Sequence, residues 1–394
     1  MGQEDWPVTS FGIIRGMKII IGGDFATKHR GLSSVQNQTA FSCEVTNILQ
    51  EADYTIINLE SPVADSSCIP ILKIGPCLKT AKESITYLKK CGVDAVTLAN
   101  NHFYDYGKKA VALTIRELTD KNIDYVGGGN TDEERRRILY KSFGDIRIAF
   151  INYCEHEFSV QNECGSNGLD PIQAFYDINQ ARKNADIVII ITHGGHEGYR
   201  FPSPRMQNLY RFLIDAGANL VVNHHQHCFS GFEPYGGGYI YYGLGNFFFD
   251  RGYSPQSEED RSWHEGYLLE INITDKVISN IHPIPYIQCA DEDIQVKTTG
   301  SKEEFDAFEK QIALLNTIIS DSTKLENEFR KYAFSKRKNY IVDYVPYTNK
   351  YLRALYKRGF LPSFFSQKRQ LKALNDIRCE AHRDLLIESL SVVK

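Results

Sequence analysis

The sequence predicts an α/β fold, on three observations. Short apolar runs alternate with helix-like segments from residue 17 to about residue 222, the pattern of a sheet covered by helices on both faces. Several of those runs end abruptly in Asp, Glu, Asn or His, and the carboxyl edge of the strands is where α/β folds place their ligands. From Gly238 onward the apolar runs follow one another without helices, which adds an antiparallel set that completes the sheet or forms a second one packed on it.

Residues 17–21, MKIII, read as a buried strand delivering Gly22-Gly23-Asp24 to the sheet edge, the glycines allowing close backbone approach. Residues 39–52 read as a helix and residues 54–58 as a second strand, ending in Leu59-Glu60. The stretch 61–76 holds Pro62, Pro70, Gly75 and Pro76 and suits a surface or site-covering loop. A helix over 81–91 leads to a third strand, 94–98, with Asn100-Asn101-His102 at its end. A helix over 106–121 and a strand over 123–126 follow, and Gly127-Gly128-Gly129 reads as a loop without phosphate-loop spacing.

Further strands are expected at 146–152 and at 187–192, the latter ending in His193-Gly194-Gly195-His196-Glu197, with a helix near 205–216. Residues 219–222 form the strand that opens into Asn223-His224-His225-Gln226-His227. Two imidazoles spaced H-x-H outside a helix can face one site, and neutral imidazole suits zinc, iron and similar ions. The late strands fall at 239–242, 267–273 and 277–287, with Gly236-Gly237-Gly238 as a hairpin turn and the polar stretch 250–263 as a loop beside the site. Glu197 and Asn246 read either as residues that stiffen the site through hydrogen bonds or as purely local turn residues.

The 394 residues are 42% hydrophobic and 24% charged with a net charge of -4, so no bulk field calls for nucleic acid. Nine cysteines without a C-x-x-C pair read as reduced thiols of a cytoplasmic protein. Residues 1–16 lack the build of a secretory signal and form an N-terminal extension, and no run is long and apolar enough to span a bilayer. Trp6 stands where N-myristoylation requires Ser or Thr. Residues 17–300 make the main domain, and 301–394 a basic helical appendage in which Arg358, Lys368 and Arg369 lie near Phe360, Leu361, Phe364 and Phe365. Those charges either meet an anionic glycan, a nucleotide or a membrane surface, or are the solvated face of packed amphipathic helices.

The order GD, NLE, NNH, HGG-x-E, HH-x-H and G-x-GNF, carried by stretches such as LANNHFYDYG, ITHGGHEGY and YYGLGNFFFD, resembles the CapA-type, or poly-γ-glutamate, capsule biosynthesis family. That family is a branch of the calcineurin-like metallophosphatase fold, and the resemblance covers about residues 17–285. It implies a four-layer α/β/β/α sandwich with two divalent metal ions, manganese, iron or zinc. By the same resemblance Asp24, Glu60, Asn101, His193, His225 and His227 are the metal ligands, with Glu60 bridging, and Asn101 and His102 stand at the reacting centre.

Two such ions can hold a hydroxide and clamp the attacking and leaving oxygens of a phosphoester, while His102 gives a proton to the leaving group. The implied function is hydrolysis of an anionic or phosphorylated small molecule or glycan in surface-polysaccharide metabolism, with capsule-synthesis proteins as partners. The alternatives are an amide-forming or accessory subunit of a polymer synthase and a glycan-binding protein without catalysis. Metallophosphatases carry a His two residues after the first Asp; this chain has Ala26, which leaves that metal position either weaker or filled by another group such as His29 or His196. Asn223 and Gln226 replace the family's usual Gly and Pro, with Asn223 expected to take the glycine-like backbone.

Overall fold

The computed structural model describes residues 16–27, 30–73, 75–161, 163–249, 258–290, 294–341, 347, 349–363 and 366. The N-terminal extension up to residue 15, His29, residues 250–257 of the polar loop, and Phe364, Phe365, Lys368 and Arg369 lie outside the described residues. The chain divides between Leu325 and Glu326 into two compact units.

In chain order the first unit runs β1 (Met17–Ala26), α1 (Arg30–Gln36), α2 (Cys43–Gln50), β2 (Tyr54–Leu59), α3 (Lys82–Lys90), β3 (Ala95–Thr97), α4 (Gly107–Asp120) and β4 (Asp124–Val126). It continues through β5 (Gly128–Gly129), α5 (Asp132–Arg135), β6 (Leu139–Phe143), β7 (Ile146–Cys154), β8 (Gly165–Ser166), α6 (Pro171–Asn184), β9 (Ile187–His193), α7 (Pro204–Asp215) and β10 (Leu220–His224). β11 (Phe232–Tyr235), β12 (Gly238–Tyr241), β13 (Asn246–Phe249), α8 (Glu258–His264), β14 (Glu265–Thr274), β15 (Val277–Ala290), β16 (Ile294–Thr298) and α9 (Lys302–Ile319) complete it. α10 (Ser322–Ile341) begins before the division and ends after it, and α11 (Lys350–Lys357) belongs to the second unit, where Tyr356 packs with Tyr347 and Leu361.

Two sheets carry the fold. The first has the order β16-β15-β14-β1-β2-β3-β4, with β13 also on β1, and the second β11-β12-β10-β9-β7-β6. β1 to β4 are parallel, as are β7, β9, β10 and β12, so both sheets aim parallel strand ends the same way along the chain. The late strands β14, β15 and β16 join the first sheet antiparallel. Alternation along β1 shows the layering. Ile19 and Ile21 enter one core with Ile148, Ile189 and Val222 of the second sheet, while Ile20 enters another with Leu49, Leu88 and Leu118 of α2, α3 and α4. On its outer face the second sheet meets Ile178 of α6 and Leu213 of α7, which gives the α/β/β/α sandwich.

Local chemistry sets the boundaries. Asp170 caps α6 by accepting from the N–H groups of Ile172 and Gln173, and Ser203 caps α7, each with Pro at the first turn. The helix expected over 39–52 is the shorter α2, which Ser42 caps after α1 has ended. Gly236 and Gly237 turn the β11–β12 hairpin with φ of 56° and 84°, a two-residue turn only glycine makes without strain. Gly128-Gly129, expected as loop, pairs with β8.

Two differences are larger. β13 had no place in the expected strand set; it pairs in parallel with the last three residues of β1, beyond the reach of β14. Gly23 makes that approach feasible, since a Cβ there would lie 2.0 Å from the carbonyl oxygen of Gly245. The main domain also extends past residue 300. Phe308, Ile312, Leu315 and Ile319 of α9 join the inter-sheet core, so α9 belongs to the sandwich rather than to the basic appendage. Among the described residues no helix is long and apolar enough to cross a membrane.

Candidate metal centre

The carboxyl ends of the parallel strands converge at one edge of the sandwich. Asp24 lies on β1, Glu60 directly after β2, and Asn101 and His102 in the turn after β3. From the second sheet His193 ends β9, and His225 and His227 follow β10. All seven are buried.

The donors face one another. Glu60 Oε1 lies 3.8 Å from His193 Nε2 and 3.5 Å from His227 Nε2. Asp24 Oδ2 lies 3.4 Å from His227 Nδ1, and His193 Nε2 is 3.1 Å from both Asn101 Oδ1 and His225 Nδ1. Two buried sets could each hold an ion, Asp24 with Glu60 and His227, and Glu60 with His193 and His225; Glu197, exposed, forms a third with His225 and His227. Glu60 belongs to both buried sets. Among the described residues both of its oxygens are without a hydrogen-bond partner, and a buried carboxylate in that state is costly unless a cation meets it. The residues present therefore fit divalent ions: oxygen and nitrogen acceptors with lone pairs turned towards a common space.

Side chains behind the donors hold them. Asn58 donates to Asp24 Oδ1 at 2.7 Å and stands 3.3 Å from His193 Nδ1. Asn246 Oδ1 lies 2.9 Å from His227 Nδ1 while its amide donates to the carbonyls of His227 and Trp263, so His227 carries its proton on Nδ1 and turns Nε2 to Glu60. His102 Nδ1 is 2.6 Å from Asp105 Oδ2. Asn58, Asp105 and Lys73, which pairs with Asp105, carried no role in the sequence reading; Asn58 stands inside NLE and Asp105 three residues after His102, but Lys73 has no local signal.

Charge follows geometry. Burial pushes the Asp24 carboxyl up, but the histidines 227, 224 and 193 outweigh it and hold it well below the ordinary range. Burial, reinforced by Asp24 and Glu197, pushes Glu60 well above it. Burial also depresses His193, His224 and His102, and takes His225 down to about 4, so these rings are neutral at physiological pH.

Two expectations are corrected. Asn223 does not take the left-handed backbone; it lies in β10, and His225 and His227 are left-handed instead, with φ of 90° and 55°. Asn223 is a buried staple whose amide donates to the carbonyls of Gly194 and Tyr242 while its oxygen accepts from Thr192 and Tyr210. Ala26 is not compensated by His196, which is in none of the donor sets among the described residues. The space beside Ala26 is apolar, lined by Leu78, Phe249 and Trp263, and the Trp263 ring lies 4.4 Å from that of His227. His224 sits on the far edge of Asp24, 3.7 Å from Oδ1, with no hydrogen bond to either ring nitrogen.

A capsule biosynthesis protein CapA of Bacillus anthracis is 32% identical over 220 residues, 53% of this chain and 54% of that protein. The PGA biosynthesis protein CapA of Bacillus subtilis is 33% identical over 215 residues, 53% of this chain and 57% of that one. A probable polyglutamine synthesis accessory protein of Mycobacterium tuberculosis is 25% identical over 248 residues, covering 58% and 63%. The chain thus spans little more than half the length of the two CapA proteins. Among solved structures, a phosphatase of Mycoplasma pneumoniae aligns with 70% of this chain and 95% of its own at 16% identity and a TM-score of 0.45. The model of the bacterial capsule synthesis protein PGA_cap matches residues 18–251, and the chain belongs to that family.

Proposed function

We propose that this chain binds two divalent metal ions, manganese, iron or zinc, and hydrolyses a phosphoester of surface-polysaccharide metabolism, its substrate an anionic or phosphorylated small molecule or glycan. The observation that carries the reading is Glu60, wholly buried, shared by two donor sets and without a hydrogen bond of its own. Asp24, Glu60 and His227 would hold one ion, and Glu60, Asn101, His193 and His225 the other. Such ions supply Lewis-acid polarisation of a phosphoryl oxygen and neutralise the charge that builds up on it. The chain's own residues do the rest. Asn58 and Asn246 fix the donors, the burial of the cluster excludes water from its rear, and His102, with Nδ1–H turned to Asp105, keeps the Nε2 lone pair for the site, where it takes up a proton as a base before passing it to the leaving oxygen. Nine cysteines without a C-x-x-C pair support a cytoplasmic location.

One observation favours a second reading. Glu197 is exposed beside the cluster and its charge is felt at Glu60 and Glu157, so the mouth is acidic and opposes a dianionic phosphate. An uncharged acyl centre would meet less repulsion, which suits an amide-forming or accessory role in polymer synthesis beside capsule-synthesis partners. The test is metal content of protein purified without chelator, parent against His225→Ala, followed by a phosphoester panel. About two ions per chain, reduced in the variant, with turnover that the variant loses, is the expected result. A full metal complement without phosphoester turnover, and co-purification with a polymer synthase, would move the conclusion to the second reading.

A further inference from the structure

The loop between β2 and α3 comes back over the turn that follows β3, and Asp105 receives it. Its carbonyl accepts from the N–H of Ile71 at 2.9 Å, its Oδ2 from the N–H of Leu78 at 2.6 Å, and its Oδ1 pairs with the Lys73 ammonium. The Lys73 side chain is only 4% exposed and that of Asp105 not at all, so this ion pair lies inside the protein. An inward lysine in a long surface loop needs a reason, because burying an ammonium is expensive unless its partner is fixed.

The third member is His102. Its Nδ1 lies 2.6 Å from Asp105 Oδ2 and 3.2 Å from Lys73 Nζ. An ammonium has no lone pair to offer and an ionised carboxylate no proton, so only two arrangements fit. In one, Nδ1–H donates to ionised Asp105 and Lys73 completes the ion pair. In the other, Lys73 donates to a bare Nδ1 and Asp105 is protonated. The ammonium on Oδ1 favours the ionised carboxylate, and the shorter contact of Nδ1 is the one to that carboxylate, so the first arrangement wins. The lone pair of the neutral ring is then on Nε2, which makes no hydrogen bond among the described residues and is the atom left for the site.

We propose that Lys73 is a positioning residue: acting through Asp105, it fixes the tautomer and the orientation of His102 and ties the loop over residues 61–80 to the reacting centre. The role of His102 in moving a proton at Nε2 rests on the function proposed above; the Lys73–Asp105–His102 arrangement does not. Lys73→Met keeps the length of the side chain and removes its charge, and Lys73→Arg keeps the charge. Without the ammonium, Asp105 Oδ1 loses the partner that fixes it, and Nδ1–H loses the fixed acceptor that orients the ring.

The experiment is ¹⁵N nuclear magnetic resonance of the histidine-labelled full chain in zinc buffer, with the His102 signals assigned by their loss in His102→Gln. The parent and Lys73→Arg are expected to show a protonated Nδ1 and a bare Nε2, and Lys73→Met a mixed or reversed pattern. With a phosphoester that the parent turns over, Lys73→Met lowers kcat by about 10- to 100-fold at unchanged KM and metal content, and Lys73→Arg recovers much of the loss. A Lys73→Met spectrum identical to the parent's overturns the proposal. Absence of turnover in the parent would count against the hydrolase reading alone, since the tautomer pattern still decides the role of Lys73. If circular dichroism shows Lys73→Met unfolded, Lys73→Gln carries the same test, and failure of both to fold would make Lys73 a scaffold residue and overturn the proposal as well.

Discussion

Replacing Glu60 by Gln should stabilise the metal-free protein and destabilise the metal-loaded one. Glu60 is fully buried, neither oxygen has a partner, and burial first, then Asp24 and Glu197, push its carboxyl well above the ordinary 4.5. A carboxyl raised in the folded state holds its proton longer than the unfolded chain does, so above the ordinary value it subtracts stability as pH rises towards the folded value. Near neutral pH an amide of the same shape carries no such cost. Relief of the buried charge, offset in part by the polar amide that replaces it, is worth about 1–3 kcal/mol.

The first unit, Met1–Leu325, has on the order of 325 residues, which at about 2.1 cal/mol/K per residue gives an unfolding entropy near 0.7 kcal/mol/K. The expected rise in Tm is therefore about 1.5–4 °C in chelator. A metal ion at about a hundred times its Kd adds about 2.7 kcal/mol to the parent, close to 4 °C, and less to a variant that has lost the shared carboxylate. Melts of both proteins followed by circular dichroism, with EDTA and with manganese, should cross. If Glu60→Gln melts below the parent by the same margin in both buffers, Glu60 is a structural post and the reasoning fails.

Three other outcomes follow from the same geometry. Burial depresses His102, His193, His224 and His225 below the ordinary 6.5, so the stability they allow is complete above that value and is lost as pH falls through it. Tm in chelator should drop between about pH 6.5 and pH 5, and more steeply in Glu60→Gln, where the opposing carboxyl is gone; a flat profile would contradict the neutral-ring assignment. Asn223→Ala removes four buried hydrogen bonds and should lower the urea midpoint by the equivalent of about 3–5 kcal/mol, with a loss below about 1 kcal/mol showing that the staple is dispensable. Metal analysis of His193→Ala should give at most one ion per chain, with the Asp24 set left as the remaining site, whereas two ions would place His193 outside the centre.

The donors were legible because each one is a local event. An apolar run that stops at a polar residue marks a parallel strand end, and Asp24, Glu60, His193, His225 and His227 all announce themselves in this way. What holds them was not legible, since Asn58 meets His193 across 135 positions and Lys73 meets Asp105 across 32, distances at which no periodicity carries information. Asn223 misled for a related reason. Beside three histidines it reads as turn, but its side chain is satisfied on four sides by neighbouring strands and α7, and that tertiary pairing keeps it in β10. α9 was grouped by charge with the basic segment beyond it, although its apolar stripe of Phe308, Ile312, Leu315 and Ile319 is what places it on the sandwich. β13 escaped because four residues of NFFF show no alternation, and their pairing depends on the irregular end of β1.

Each buried donor set draws on both sheets: Asp24 and Glu60 belong to one layer, the imidazoles to the other. Under the proposed function neither layer would capture an ion there by itself, so loading would wait until the two have docked. An ion would then act as a rivet across the seam, and removing it should loosen this edge of the sandwich before the far edge, an order that amide exchange can follow. The ion would also be selected where the chain finishes folding, so that the supply of metal at that moment, as much as the ranking of affinities, would decide which element the protein carries.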